Sequence, residues 1–372
     1  MEDIITILIG SIATFTCILY CTRIWYWYTI WQKAPSFYPT NDNPPSLPSI
    51  SVIIPFRDES SNLSALLKSL TSQKGSDWEV IVINDHSTDT GLSVIESYRN
   101  LLPIKVLTNH GEGKKAALLT GAKVAVGDYL LMTDADCIMP DSWVTSFQQW
   151  IATKKTELII GPVFITGPNS FFNRFQKRDF LSLQISGASA ALNKRPIMSN
   201  GANLACRREL FLAANLKTDF ASGDDMFLLE WMKQQKKSIT FLKSKSAMVS
   251  TATEKSWSGF FAQRARWASK AKGYKDLNII SAGLLVAITN ALLLACLILS
   301  FIHPLLTFVW LSLFLTKSIS DFQLIRIASD FYSYRDRLGE FILSQLFYPI
   351  YILITITYPI FRPLKWKKRI IK

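Results

Sequence analysis

The chain has 372 residues, of which 49% are hydrophobic, and a formal net charge of +13 at neutral pH. So apolar a composition argues against an ordinary soluble enzyme and makes a membrane protein the first expectation. The positive charge does not ask for nucleic acid. It gathers beside apolar stretches, in Arg264 to Lys275 and in the terminal KWKKRIIK, so membrane lipids are the expected partner and nucleic acid is not.

Residues 4–22, IITILIGSIATFTCILYCT, have the length of a hydrocarbon core, and the aromatic run RIWYWYTIW that follows suits a membrane interface. An N-terminal transmembrane anchor over 1–33 is expected. A cleaved signal peptide fits less well, because the start is acidic and no small-residue cleavage site follows. Residues 34–49, rich in Pro, Ser and Asn, read as a linker.

From 50 to 278 apolar runs alternate with amphipathic stretches. ISVIIPF, WEVIVIND, IKVLTN, DYLLMTDAD and ELIIGPVFI predict strands, while SNLSALLKSLTSQ and KKAALLTGAKVA predict helices. This alternation implies a largely parallel α/β sheet, in which ligands bind at the carboxyl ends of the strands. Asp85, Asp134 and Asp136 fall at that end.

Residues 279–372 form a C-terminal transmembrane region with apolar segments at 279–301, 303–320 and 341–361 and a basic tail. The dipeptide HP between the first two predicts a hairpin. Counting Lys and Arg places the α/β domain on the cytoplasmic side of a cell (inner) membrane, with Arg23, Lys33 and the 264–275 cluster beside it. Three further crossings would leave the basic tail outside, so the Pro-containing third segment is a candidate re-entrant or interfacial stretch. The five cysteines are scattered and suggest neither a disulfide framework nor a metal site.

Asp134 and Asp136 lie one residue apart after a buried strand, and two acids that close repel unless a cation lies between them. Hard oxygen ligands suit Mg²⁺ or Mn²⁺, commonly shared with substrate phosphates. The bland alternative is a solvated acidic turn. Neither GxGxxG nor GxxxxGK[ST] is present, so any phosphate must be held by the metal and by basic side chains. Asp224 and Asp225 open a predicted helix, either as dipole-favoured first-turn acids or as a general base. Gln263, Arg266 and Trp267 lie just before a membrane segment. They fit a basic interfacial helix, and equally an Arg that neutralises diphosphate beside an indole that stacks on a sugar ring. His86, His110 and His303 fit no metal or triad spacing.

The ordered set VIIPFRDE, VIND, GKKAALLTGA, TDAD, NGANLACRRE, SGDD and QRARW resembles the membrane-bound family-2 inverting glycosyltransferases, relatives of the chitin-oligosaccharide, poly-N-acetylglucosamine, hyaluronan and cellulose synthases. The resemblance implies a GT-A domain, a Rossmann-like nucleotide-sugar fold, between N- and C-terminal transmembrane helices. It implies that Asp85 meets the uracil and ribose region of a nucleotide-sugar donor, with Lys114 nearby. Asp134 and Asp136 match the metal-binding acids, Asp136 the more direct ligand, and Asp225 matches the catalytic base. Asp224 stands where Glu is common. Gln263, Arg266 and Trp267 would hold the donor diphosphate and the acceptor sugar, and Asn200 to Cys206, Asn203 among them, would line the acceptor entrance. The implied reaction moves a sugar from a UDP-sugar to a saccharide acceptor with inversion; single-sugar transfer to a lipid acceptor is the alternative. A hydrolase using a carboxylate pair fits a cytoplasmic DAD site poorly, and a non-catalytic scaffold leaves the acids unexplained.

Overall fold

The computed structural model describes residues 2–40, 46–217, 220, 223–362, 365–366 and 369–370. The middle of the expected linker, part of the stretch before Asp224 and half of the basic tail lie outside the described residues. The chain divides into two compact units. One, here the sheet unit, comprises Ala34–Gly167, Ala191–Thr253 and Lys365–Lys372. The other, the helical unit, comprises Met1–Lys33, Pro168–Ala190 and Glu254–Leu364.

The sheet unit contains β1 (Ile50–Phe56), β2 (Trp78–Asn84), β3 (Ile104–Thr108), β4 (Tyr129–Met132), β5 (Leu158–Ile160), β6 (Val163–Thr166), β7 (Leu204–Arg207), β8 (Ile239–Phe241) and β9 (Val249–Ala252). Seven of these form one sheet in the order β3-β2-β1-β4-β7-β5-β8, and β6 pairs with β9 in a second. Strands β3, β2, β1 and β4 run parallel; β7 is antiparallel to both of its neighbours. The largely parallel α/β sheet expected from the alternation is present, with two corrections: β7 inserts antiparallel between β4 and β5, and ELIIGPVFI is two strands, β5 and β6, in different sheets. Gly161 and Pro162 separate them, and proline cannot donate to a ladder.

All seven residues of β1 and all four of β4 are buried, with no polar alternation, as expected of strands covered on both faces. The helix Ser60–Thr71 buries Leu63, Leu66, Leu67 and Leu70, a helical stripe. β1 lies between β2 and β4, where the chain order reverses, and this switch opens a crevice at the strand ends. Asp85 follows β2 directly, and Asp134 and Asp136 follow β4.

The helical unit contains helices Glu2–Lys33, Phe171–Leu192, Trp257–Ser269, Leu277–Leu299, Leu305–Tyr332 and Leu338–Phe361. Four of them, Thr6–Lys33 and the last three, are long and apolar enough to cross a membrane. The segment suspected of re-entry is one continuous helix of 24 residues despite Pro349 and Pro359 within it. Phe175, Phe260 and Tyr351 form an aromatic core joining three helices. A polar knot lies among the apolar helices: Lys317 Nζ donates to Asp321 Oδ2 at 2.7 Å and to Gln345 Oε1 at 3.1 Å, and the Tyr20 hydroxyl donates to Asp321 Oδ1 at 2.7 Å. Polar groups with no water nearby must satisfy one another, which ties three of these helices together. All five cysteines are free and buried.

Candidate active site

The acids at the strand ends are held by backbone geometry. After β2, Asp85 is buried, and its Oδ1 accepts from Asn109 Nδ2 at 2.7 Å and from the Gly113 N–H at 3.0 Å. Gly113 has φ of +87°, a conformation that costs glycine little, and it precedes the helix Lys114–Val124. That turn launches Lys114 toward the acids. Its ammonium donates to Asp134 Oδ1 and lies 3.8 Å from Asp224 Oδ2. Burial alone would lower the Lys114 pKa, but the carboxylates of Asp134, Asp224 and Asp225 outweigh it and raise the pKa instead.

Asp224 and Asp225 open the helix Asp224–Gln234, as expected. Asp225 Oδ1 accepts from the Met226 N–H at 2.8 Å and Oδ2 from the Gly201 N–H at 3.3 Å. Gly201 is packed so closely that a Cβ there would lie 3.1 Å from both Asp224 Oδ2 and Lys114 Nζ. Lys114 therefore links Asp134, after β4, to the acidic helix start, and the 199–203 loop braces that start from the other side. Ser199 contributes by donating its hydroxyl to the Asp225 carbonyl at 2.8 Å.

Asp136 Oδ2 accepts from Thr251 Oγ1 at 3.0 Å. The surrounding protein, then the negative charges of Asp134 and Glu59, push the Asp136 carboxyl up to about 6. Its side chain is nevertheless open to solvent, so the neighbouring charges are the better guide to what the position wants, and that is a cation. No cluster of three or more His, Cys, Asp or Glu converges among the described residues. Two carboxylates, with substrate phosphate and water completing the shell, is the way Mg²⁺ is usually held, and the donor set fits it.

Asn203 occupies a different place from the acceptor entrance expected of it. It is fully buried, donates through Nδ2 to the Pro162 and Ala247 carbonyls at 2.8 Å each, and accepts from Trp143 Nε1 at 2.9 Å. The side chain braces strand ends. In the helical unit Gln263, Arg266 and Trp267 share the helix Trp257–Ser269 and are half-buried. Gln263 Nε2 donates to Glu254 Oε1 at 2.9 Å, and its Oε1 accepts from Arg264.

Residues 51–212, which carry the switch-point crevice, the metal-type acids and Gly201, match the family model described as Glycosyl transferase family 2. Over that stretch, less than half of the chain, the protein is similar to glycosyltransferase family 2. The chain is 29% identical over 122 residues to the poly(ribitol-phosphate) beta-N-acetylglucosaminyltransferase TarP of Staphylococcus aureus, covering 32% of this chain and 37% of the relative. It is 26% identical over 136 residues to the undecaprenyl-phosphate 4-deoxy-4-formamido-L-arabinose transferase of Pectobacterium carotovorum, covering 35% and 41%. The chain thus spans about two fifths of the length of these relatives. The solved mannosyltransferase PcManGT from Pyrobaculum calidifontis, in complex with GDP-Man and Mn2+, is similar over 97% of this chain and 99% of its own, with TM-score 0.57 and 16% identity. That likeness shows the fold, which is GT-A.

Several contributors to the switch-point crevice escaped the sequence reading. Glu59 ends VIIPFRDE, and Gly113 opens GKKAALLTGA. Asn109 carried no signal, and Thr251 lies 115 residues from the acid it touches, a pairing only the folded chain reveals.

Proposed function

We propose that the chain is a membrane-bound inverting glycosyltransferase that moves a sugar from a nucleotide-sugar, a UDP-sugar, to a saccharide acceptor at the cytoplasmic face of a cell membrane. The observation that carries this is the Lys114 ammonium set between Asp134 and Asp224, at the mouth of a domain similar to family 2. One cation there touches the donor-side acids and the helix that presents Asp225.

Asp85 and the Gly113 turn receive the nucleoside end of the donor. Asp136 and Asp134 hold Mg²⁺ or Mn²⁺, which when bound supplies charge to stabilise the departing diphosphate. Asp225, fixed by two backbone N–H groups, takes the proton of an acceptor hydroxyl. The acceptor oxygen bonds to the anomeric carbon as the bond from that carbon to the diphosphate oxygen breaks, and the electron pair leaves with the nucleoside diphosphate. Lys114 and Arg266 answer its growing negative charge, while Gln263 and Trp267 serve the acceptor sugar.

Single-sugar transfer to a membrane lipid is the second reading. Only four helices among the described residues are long and apolar enough to span a membrane, a narrow frame for exporting a polymer, and a relative carries undecaprenyl-phosphate in its name. The test is incubation of membranes holding the chain with a panel of radiolabelled nucleotide sugars and Mg²⁺ or Mn²⁺, followed by partition between organic and aqueous phases. Label in an aqueous, glycosidase-sensitive product supports the first reading and label in the organic phase the second. No transfer from any donor rejects both.

A further inference from the structure

Arg264 stands inside QRARW, yet the proposed transfer assigns it nothing. It is buried, with 4% exposure, and its Nε donates at 2.7 Å to Oδ2 of Asp179, itself 3% exposed on the helix Phe171–Leu192. The same guanidinium donates to Gln263 Oε1 and lies 4.3 Å from the centroid of the Trp267 ring. Gln263 is held at its other end by Glu254, and the Trp267 ring meets Phe180, one residue from Asp179, at 6.1 Å between centroids. The Tyr348 hydroxyl approaches Asp179 Oδ1 at 3.5 Å.

We propose that Arg264, aimed by Asp179, is a positioning residue that sets the Gln263 amide and the Trp267 ring for substrate. The inference rests on the transferase reading of those two residues. A buried ion pair is a weak device for stability, since a well-packed apolar pair often serves as well. What an apolar pair cannot do is make three directed contacts at once: a charge-assisted bond to Asp179, a bond that fixes the orientation of the Gln263 amide, and a cation–π contact over the Trp267 ring. A planar guanidinium does all three, and an ammonium cannot. Asp179 sets the plane of that guanidinium.

Arg264→Lys is the informative variant, because it keeps the charge opposite Asp179 and removes the plane. The full chain in detergent, labelled with fluorotryptophan, provides a readout that needs no turnover: the Trp267 fluorine resonance, assigned by its loss in Trp267→Phe. In Arg264→Lys this resonance is expected to shift or broaden. Acceptor kcat/KM is expected to fall about ten- to a hundredfold, the scale of a misplaced substrate contact, with donor affinity unchanged. Asp179→Asn, which keeps a hydrogen-bond acceptor for Arg264, is expected to show a smaller change of the same kind. Wild-type resonance and turnover in Arg264→Lys overturn the proposal. Failure of Arg264→Lys to accumulate folded in membranes overturns it too, since the pair is then a folding element. A wild-type chain inert toward every donor rejects the transferase reading instead, and the fluorine spectrum still decides whether Arg264 orders Trp267.

Discussion

The two units treat their charged groups in opposite ways. In the sheet unit the acids gather at a solvent-reachable rim and lean on backbone N–H groups: the Asp134 side chain is 38% exposed beside Lys114. In the helical unit the charges are buried and spent on one another, Arg178 with Asp336 at 4% and 8% exposure, Arg264 with Asp179 at 4% and 2%. Acids kept close together with one shared lysine store repulsion that a ligand can relieve. Charges already neutralised in pairs have nothing left to offer a ligand, and they fix geometry instead. On this contrast, substitutions in the first group should change chemistry without unfolding the chain, whereas removing one charge of a buried pair in the second should cost stability.

The sharpest break of the contrast lies at Asp136. Asp136→Asn is expected to abolish transfer while leaving thermal unfolding unchanged, because it removes a ligand whose cation is worth several kcal/mol, or roughly a thousandfold, in stabilising the leaving diphosphate. Stripping metal with EDTA should reproduce the loss, and Mn²⁺ or Mg²⁺ should restore it in wild type alone. Full turnover after verified stripping would remove the metal from the account. Asp225→Asn comes next, with a fall of about 10² to 10⁴-fold in kcat at unchanged donor affinity, since a general base acts on the acceptor only. Nucleotide titration beside saturating-substrate turnover separates the two terms; lost nucleotide affinity with turnover intact would make Asp225 a donor ligand.

The helical unit should answer in stability. Lys317→Met leaves the Asp321 carboxylate without its ammonium, both side chains being nearly inaccessible at 2% and 11%. Breaking one side of a buried pair costs about 3–5 kcal/mol, whereas replacing both partners by apolar residues costs far less. The midpoint of thermal unfolding in detergent should therefore drop sharply in Lys317→Met and recover most of the way in Lys317→Met with Asp321→Leu. Equal losses in the single and double variants would show that the knot is more than a matched pair.

The sheet and its strand-end acids were legible in the sequence because they depend on local rules. Uninterrupted apolar runs mark strands covered on both faces, and an acid just past such a run must emerge at the carboxyl end. Three of the four helices long and apolar enough to cross a membrane were legible by length and composition, while the fourth, Leu338–Phe361, was read as a candidate re-entrant stretch. What stayed hidden depends on distant partners. Asn203 sits in a motif that also supplies Gly201, yet one points into the core and the other faces the acids, a difference decided by the backbone turn between them. Arg264 and Arg266 look alike in QRARW, and helical phase buries only the first. The break of ELIIGPVFI into two strands turns on which neighbour each half finds, and no periodicity records that.

The smallest effect tests how tightly the rim is drawn. Gly201→Ala adds a methyl 3.1 Å from both Asp224 Oδ2 and Lys114 Nζ and 3.6 Å from Asp225 Cβ. The lysine end is flexible and can move by a few tenths of an ångström, so stability should change by only about 1 kcal/mol, the ordinary scale of a tolerated substitution. Moving Lys114 disturbs its bond to Asp134, and moving the Gly201 backbone loosens the N–H that holds Asp225 Oδ2. Both disturbances fall on groups that must be aligned before transfer, so kcat should fall about tenfold, the low end of what small misplacements cost. Donor affinity should weaken with it if Lys114 serves the donor side as proposed. Wild-type kinetics in a well-folded Gly201→Ala would mean that the three acids work independently of the lysine between them, and the linkage of donor and acceptor sides through Lys114 would have to be given up.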